Sequence, residues 1–325
     1  MQISTANFYN RATNQMTRLN ADLNRLNTEL STQKHLKVAS QDSASWMMLG
    51  GIKKEEADSN AFRSNITLSR GLLAQADTAL ANADERLVRV RELTVRAGTD
   101  TLNAKDKVAI ATELDQIREG LMAIANTRDV RNHPVFGGTG DVAFTKDDTT
   151  GVISYTGNAS VANVRIGEAS QMQVGIDGSR VFTGANGGVD IFALIDDLKA
   201  AMEMPTEAPA VDPLAPVDPD APVFDVDAAR KAYTTKINTA LGKLDTAEAQ
   251  VTSARAANGA RAARLEIESS QLENIGIDRE EARSALEDTD ISTTMVEFQK
   301  TLTILSATQA SISKLAGMSL FNYLK

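Results

Sequence analysis

Apolar residues near the start of the chain recur every three or four positions. Tyr9, Ala12, Met16, Leu19, Leu23, Leu26 and Leu30 are spaced 3-4-3-4-3-4 among mostly polar neighbours. That alternation draws one narrow stripe along a helix, the pattern of a helix lying along a partner. The last segment mirrors it. Ile291, Met295, Phe298, Leu302, Leu305, Gln309, Ile312 and Ala316 step 4-3-4-3-4-3-4, with Gln309 as a polar interruption. Neither seam has much core of its own. The two are therefore expected to pack on each other, on other copies, or both.

Longer helical patterns lie inside these ends. Phe62, Ile66, Ser69, Leu73, Ala76, Leu80, Ala83, Leu87, Val90, Thr94 and Ala97 continue the heptad step up to a break near Gly98-Thr99-Asp100. A third helix follows on Ile110, Leu114, Ile117, Leu121 and Ile124. A fourth is predicted from about Ala228 to Glu287, with Ile237, Leu241, Leu244, Ala247 and Val251 on one face. The middle of the chain changes period. Val142–Phe144 and Val152–Tyr155 flank a turn-rich connection and read as a hairpin. Val164–Ile166, Gln171–Val174 and Arg180–Phe182 read as further short strands, closed by a helix over Ile191–Met202.

Residues 203–227 hold six of the seven prolines, seven carboxylates and no Lys or Arg. This is an acidic linker or loop, too polar and Pro-rich to pack. The expected fold is mainly α with a small β-rich insert, its long antiparallel helices or coiled coil formed by the two ends. Four parts follow: an inner terminal helical domain (1–42 and 288–325), a helical-bundle wall domain (43–133 and 228–287), an outer β-rich domain (134–202) and the acidic loop (203–227).

Composition narrows the chemistry. Aromatics are only 4% of residues, which suits narrow helix seams better than a thick core. A net charge of −9 disfavours nucleic acid and anionic membrane surfaces as partners. The chain has no Cys, so it has no disulfide framework or thiolate metal site. The opening MQISTANFYNRATNQ has no apolar h-region, so any export is expected to use no cleaved signal, and no apolar run is long enough to insert in a membrane. The two histidines, His35 and His133, are far apart, and no metalloprotease, phosphate-loop or nucleophile-elbow motif occurs. No catalytic residue, cofactor or metal is expected. Glu55-Glu56 and Glu280-Glu281 sit beside Lys53-Lys54 and Arg279/Arg283 and read as solvated helix faces. Trp46 reads as a helix-packing residue.

Several ordered segments resemble the bacterial flagellin family. Leu87-Val-Arg-Val-Arg-Glu-Leu-Thr-Val-Arg96 and Lys105-Asp-Lys-Val-Ala-Ile-Ala-Thr-Glu-Leu114 look like its helical core motifs. Leu30-Ser-Thr-Gln-Lys-His-Leu36 with Ala39-Ser-Gln-Asp42, and Leu286-Glu-Asp-Thr-Asp-Ile291, look like the outgoing and returning segments between its two innermost domains. The likeness covers roughly 1–133 and 228–325. Gln33 departs from it, standing where the family usually places Gly. Val135-Phe-Gly-Gly138, Asp190-Ile-Phe-Ala-Leu-Ile-Asp-Asp-Leu198 and the end Leu315-Ala-Gly-Met-Ser-Leu-Phe-Asn-Tyr-Leu324 are most similar to the hook–filament junction branch of the family.

The resemblance implies a structural role in the flagellum, outside the cell, at the junction of hook and filament. It implies as partners other copies of the chain, flagellin, a neighbouring hook-associated junction protein and a flagellar export chaperone. The subunit-interface residues expected on the seams and at the terminus are Met16, Leu19, Leu23, Leu26, Leu30, Met295, Phe298, Leu302, Leu305, Ile312 and Leu320. A filament-forming flagellin and a non-flagellar coiled-coil scaffold are the alternatives.

Overall fold

The computed structural model describes residues 2–99, 102–185, 187–207 and 224–323, with side chains described from 7 to 314. Pro209, Pro213, Pro216, Pro219 and Pro222 of the acidic stretch lie outside the described residues, as do the side chains of Ala316 and Leu320. The elements run α1 (Gln2–Thr32), α2 (Ser43–Ala97), α3 (Ala104–Ala125), β1 (Phe144–Lys146), β2 (Ile153–Tyr155), β3 (Asn163–Arg165) and β4 (Gln171–Gln173). They continue with α4 (Gly178–Phe182), α5 (Ile191–Met202), α6 (Val226–Glu287) and α7 (Ile291–Tyr323). The chain divides into two compact units, Met1–Asn60 with Glu273–Lys325, and Ala61–Leu272.

In the central unit, α2 buries the heptad positions named above, from Phe62 to Ala97. Its partner is α6, antiparallel to it. Arg91 Nε lies 2.7 Å from Glu248 Oε1, Asn258 Nδ2 donates to the Leu73 carbonyl and Arg63 to the Leu272 carbonyl, so the numbers fall on one helix as they rise on the other. α3 starts at a capping box in which Asn103 and Asp106 satisfy each other's end groups. α5 packs on α3 with Ile191, Phe192, Leu194, Ile195 and Leu198 buried, and Lys199 reaches Asp115 at 2.6 Å.

The insert is two antiparallel hairpins, β1–β2 and β3–β4. In the first, Asp147 Oδ1 accepts the N–H groups of Thr149 and Thr150, and Gly151 takes φ 71°, a left-handed turn that glycine tolerates. Phe144 is the hub of the packing beneath it, with ring centroids 5.2 Å from Tyr155 and 5.5 Å from Phe182. Asn126 exchanges two 2.9 Å hydrogen bonds with the Phe144 backbone, tying the end of α3 to the hairpin.

One expected strand is a helix. Arg180–Phe182 belongs to α4 because Asp177 caps it, accepting from both the N–H and the hydroxyl of Ser179. The turn brings Val181 and Phe182, adjacent in sequence, both into the core, which an alternating strand could not do.

In the terminal unit, α1 packs against α7. An antiparallel bridge, Lys34 to Asp288, joins the segment after α1 to the segment before α7 and fixes their opposite directions.

Candidate assembly interface

The corner joining α1 to α7 is closed by backbone hydrogen bonds. His35 N–H donates to the Glu287 carbonyl and Thr289 N–H to the Gln33 carbonyl, both at 2.9 Å. Gln33 must take φ 58° to turn the chain there, the left-handed region that a side chain disfavours. Leu36 is buried beneath the corner. Glu287 is buried too, with Lys34 Nζ at 2.7 Å and Lys53 Nζ at 3.7 Å. Burial pushes its carboxyl up, but the Lys34 hydrogen bond and the charges of Lys53, Lys34 and Arg283 outweigh that and hold it below its usual range.

Both helices leaving this corner are capped by aspartates. Asp42 accepts from Ser45 Oγ and from the N–H groups of Ser45 and Ala44, which lowers its pKa, with the Ser45 hydroxyl as the largest cause. Asp290 accepts from Thr293 Oγ1 and from the N–H groups of Thr293 and Ser292, again with the hydroxyl first, and is lowered likewise.

On α1, the structure turns the whole predicted seam inward. Tyr9, Ala12, Met16, Leu19, Leu23 and Leu30 are half-buried and Leu26 is buried. The other described side chains of α1 are exposed except Glu29, whose carboxylate pairs with Arg25 at 2.8 Å. On α7 the covered face is rotated by one position from the predicted one. It consists of Thr294, Phe298, Thr301, Leu305, Thr308 and Ile312, again in heptad step. Phe298, Leu305 and Ile312 are shared with the prediction, whereas Ile291, Met295, Leu302 and Gln309 face away. Threonine is small enough to let two helices approach, so the bulkier neighbours are turned outward. Apolar spacing alone does not mark this column; its signal in the sequence is the seven-residue repeat of Thr294, Thr301 and Thr308.

Consequently α7 carries a second, uncovered apolar stripe. Ile291, Met295 and Leu302 form it, 47%, 43% and 47% exposed, on one helical face beside the covered one; the exposed Val296 and Ile304 point elsewhere around the helix. Contiguous exposed apolar surface is where proteins associate, whereas single exposed apolar side chains need no partner. Trp46, expected as a packing residue, is instead partly exposed at the start of α2, next to the exposed Met47 and Met48.

The remaining polar groups act structurally. His35 Nδ1 lies 2.8 Å from the Asp288 carbonyl, and the His133 N–H donates to Asp129. Glu55 pairs with Arg279 at 3.1 Å and Glu280 with Arg283. Among the described residues no group of three or more His, Cys, Asp or Glu is placed to hold a metal ion, and no helix is long and apolar enough to cross a membrane.

Two family descriptions match the chain, the bacterial flagellin N-terminal helical region over residues 3–141 and the bacterial flagellin C-terminal helical region over 241–324. The flagellar hook-associated protein 3 of Salmonella typhimurium is 24% identical over 99% of both chains, and that of Escherichia coli K12 is 22% identical over the full length of both. The structure is similar to that of flagellar hook associated protein-3 from Legionella pneumophila, with TM-score 0.62 and 15% identity. That match covers 72% of this chain and 98% of the other.

Proposed function

Because the chain belongs to the bacterial flagellin family, we propose that it is a structural subunit of the bacterial flagellum that joins hook to filament. The observation that supports this reading is that α7 turns one stripe to α1 and leaves Ile291, Met295 and Leu302 uncovered beside it; in this reading a neighbouring subunit covers them. The full-length likeness to two hook-associated proteins 3 supports the junction over the filament.

In this reading residues 1–42 with 288–325 form the inner part of the assembled tube, 43–133 with 228–287 its helical wall, and 134–202 an outward domain. Met295 and Leu302 touch the next subunit directly. Met16, Leu19, Leu23, Leu26, Leu30, Phe298, Leu305 and Ile312 hold the α1–α7 pair that presents them, and Leu320 lies outside the described side chains. The subunit carries out no catalysis and needs no cofactor. It meets copies of itself, flagellin on one side and a neighbouring hook-associated protein on the other. It leaves the cell with an export chaperone's help and without a cleaved signal.

Terminal ordering is coupled to docking. Among the described residues of the covered face, Leu26, Thr294 and Leu305 are buried and the rest half-buried. So little burial stabilises helices of 31 and 33 residues weakly against the entropy of ordering them. Helical hydrogen bonding offsets part of that cost, and the neighbour's contacts supply the rest.

Deleting the gene and imaging the cells tests the proposal. Bare hooks, with flagellin lost to the medium, are expected. Absence of both filament and released flagellin would assign the chain to the filament itself, and a normal motile flagellum would refute the junction role.

A further inference from the structure

The α2–α6 seam of the central unit is built on a repeat that does not by itself choose a register. On α6, Ile237, Leu244, Val251, Asn258, Leu265 and Leu272 fall seven residues apart, and all are buried. On α2, Ile66, Leu73, Leu80 and Leu87 do the same. Sliding one helix past the other by a heptad, about 10.5 Å at 1.5 Å per residue, sets branched apolar side chains against branched apolar side chains again.

Asn258 breaks the repeat. It is 2% exposed, and its Nδ2 donates to the Leu73 carbonyl at 2.8 Å. Its Oδ1 is buried and has no hydrogen-bond partner in the protein, and the same holds for the hydroxyl of Ser69, one helical turn before Leu73. The apolar packing divides at this level. One cluster contains Ala76, Leu80, Leu244 and Val251, and the other Ile66, Leu73, Leu265 and Leu272.

A leucine at this position would continue the column and leave no buried amide oxygen unpaired. Packing therefore gives no reason for asparagine, whereas specification does. One polar residue in an otherwise apolar heptad column costs stability in every register, and least where its amide finds an acceptor. We propose that Asn258 is the positioning residue that fixes the register of α6 on α2. In the native register the amide sits at the boundary between the two clusters, beside Ser69. One heptad either way carries it into the apolar layer of Ile66 or of Leu80. The flanking pair of Arg91 with Glu248 is partly solvated and supports the register more weakly. This inference is independent of the flagellar role.

The absence of Cys makes the test clean. In the full chain, Arg91→Cys is combined with Glu248→Cys, which reports the native register. In parallel chains it is combined with Arg255→Cys or Leu241→Cys, seven residues to either side. Each pair is treated with a short bifunctional thiol reagent, with Asn258 present and with Asn258→Leu. With Asn258 only the native pair should cross-link. With Asn258→Leu a displaced pair should cross-link as well, while the melting temperature rises. If Asn258→Leu keeps the native cross-link alone, at whatever melting temperature, the proposal is overturned.

Discussion

Gln33 shows how much a single backbone position carries. Its φ of 58° is what lets α1 turn into the bridge with Asp288. A side chain there costs about 1–2 kcal/mol relative to the right-handed conformation, part of which glycine would return through its own entropy of folding. Gln33→Gly should therefore be neutral or stabilise by up to ~1 kcal/mol, and Gln33→Val should destabilise by ~1–2 kcal/mol. Urea unfolding of the assembled subunit, in which the termini are ordered, checks both. Asp42, Glu287 and Asp290 surround the same corner, each held below its ordinary pKa. Their contributions are complete above the unfolded carboxylate range, about pH 4, and fade as pH falls through the lowered values. Acid titration of the assembled subunit, in which the termini are ordered, followed by circular dichroism should show terminal helix lost before central helix. Asp290→Asn, which still accepts at the cap but cannot titrate, should reduce the pH dependence of that loss. A coincident loss of all helix would contradict the assignment.

At the scale of the element, α7 separates folding from assembly on two faces of one helix. Leu305, 8% exposed, belongs to the face turned to α1, and Leu302, three residues earlier, to the uncovered stripe. Leu305→Ala should cost ~2–4 kcal/mol of stability in the assembled subunit, where the seam is ordered. Leu302→Asp should leave the monomer's circular dichroism and melting unchanged but abolish incorporation into flagella, since a carboxylate would be buried unpaired against the neighbour. Incorporation of Leu302→Asp at the normal level would remove that stripe from the interface.

For the whole molecule, the two units differ in how they are held. The central unit has a continuous cluster running from Ala76 to Val251 around Phe144, Phe182 and Phe192, crossed by ion pairs such as Arg118 with Asp196 at 2.9 Å. The terminal unit has a thin seam and a corner. Limited proteolysis of the isolated subunit should therefore cut α1 and α7 well before α2, α3 or α5, and assembly should protect them. Equal resistance at the ends and the centre would argue against folding coupled to polymerisation.

The α1 seam, the α2 column, the helix over Ile191–Met202 and the existence of the hairpin at Asp147 were legible from spacing, although the hairpin's first strand lies at Phe144–Lys146, two residues beyond the expected Val142–Phe144. In each, one period of apolar residues fits one element, and local turn or cap chemistry agrees with it. Arg180–Phe182 was not legible, because three residues carry no period and the Asp177 cap decided the outcome. The covered face of α7 was not legible either. Its apolar residues span more than one helix neighbour can cover, so the sequence admitted two seams differing by one position. Which of them met α1 was settled by the small threonines and by the corner at Gln33 and Asp288. A sequence fixes periodicity because side-chain direction follows from the backbone alone. Choosing between faces, or between registers such as the one at Asn258, depends on which contacts the rest of the chain makes possible, and only the tertiary structure decides that.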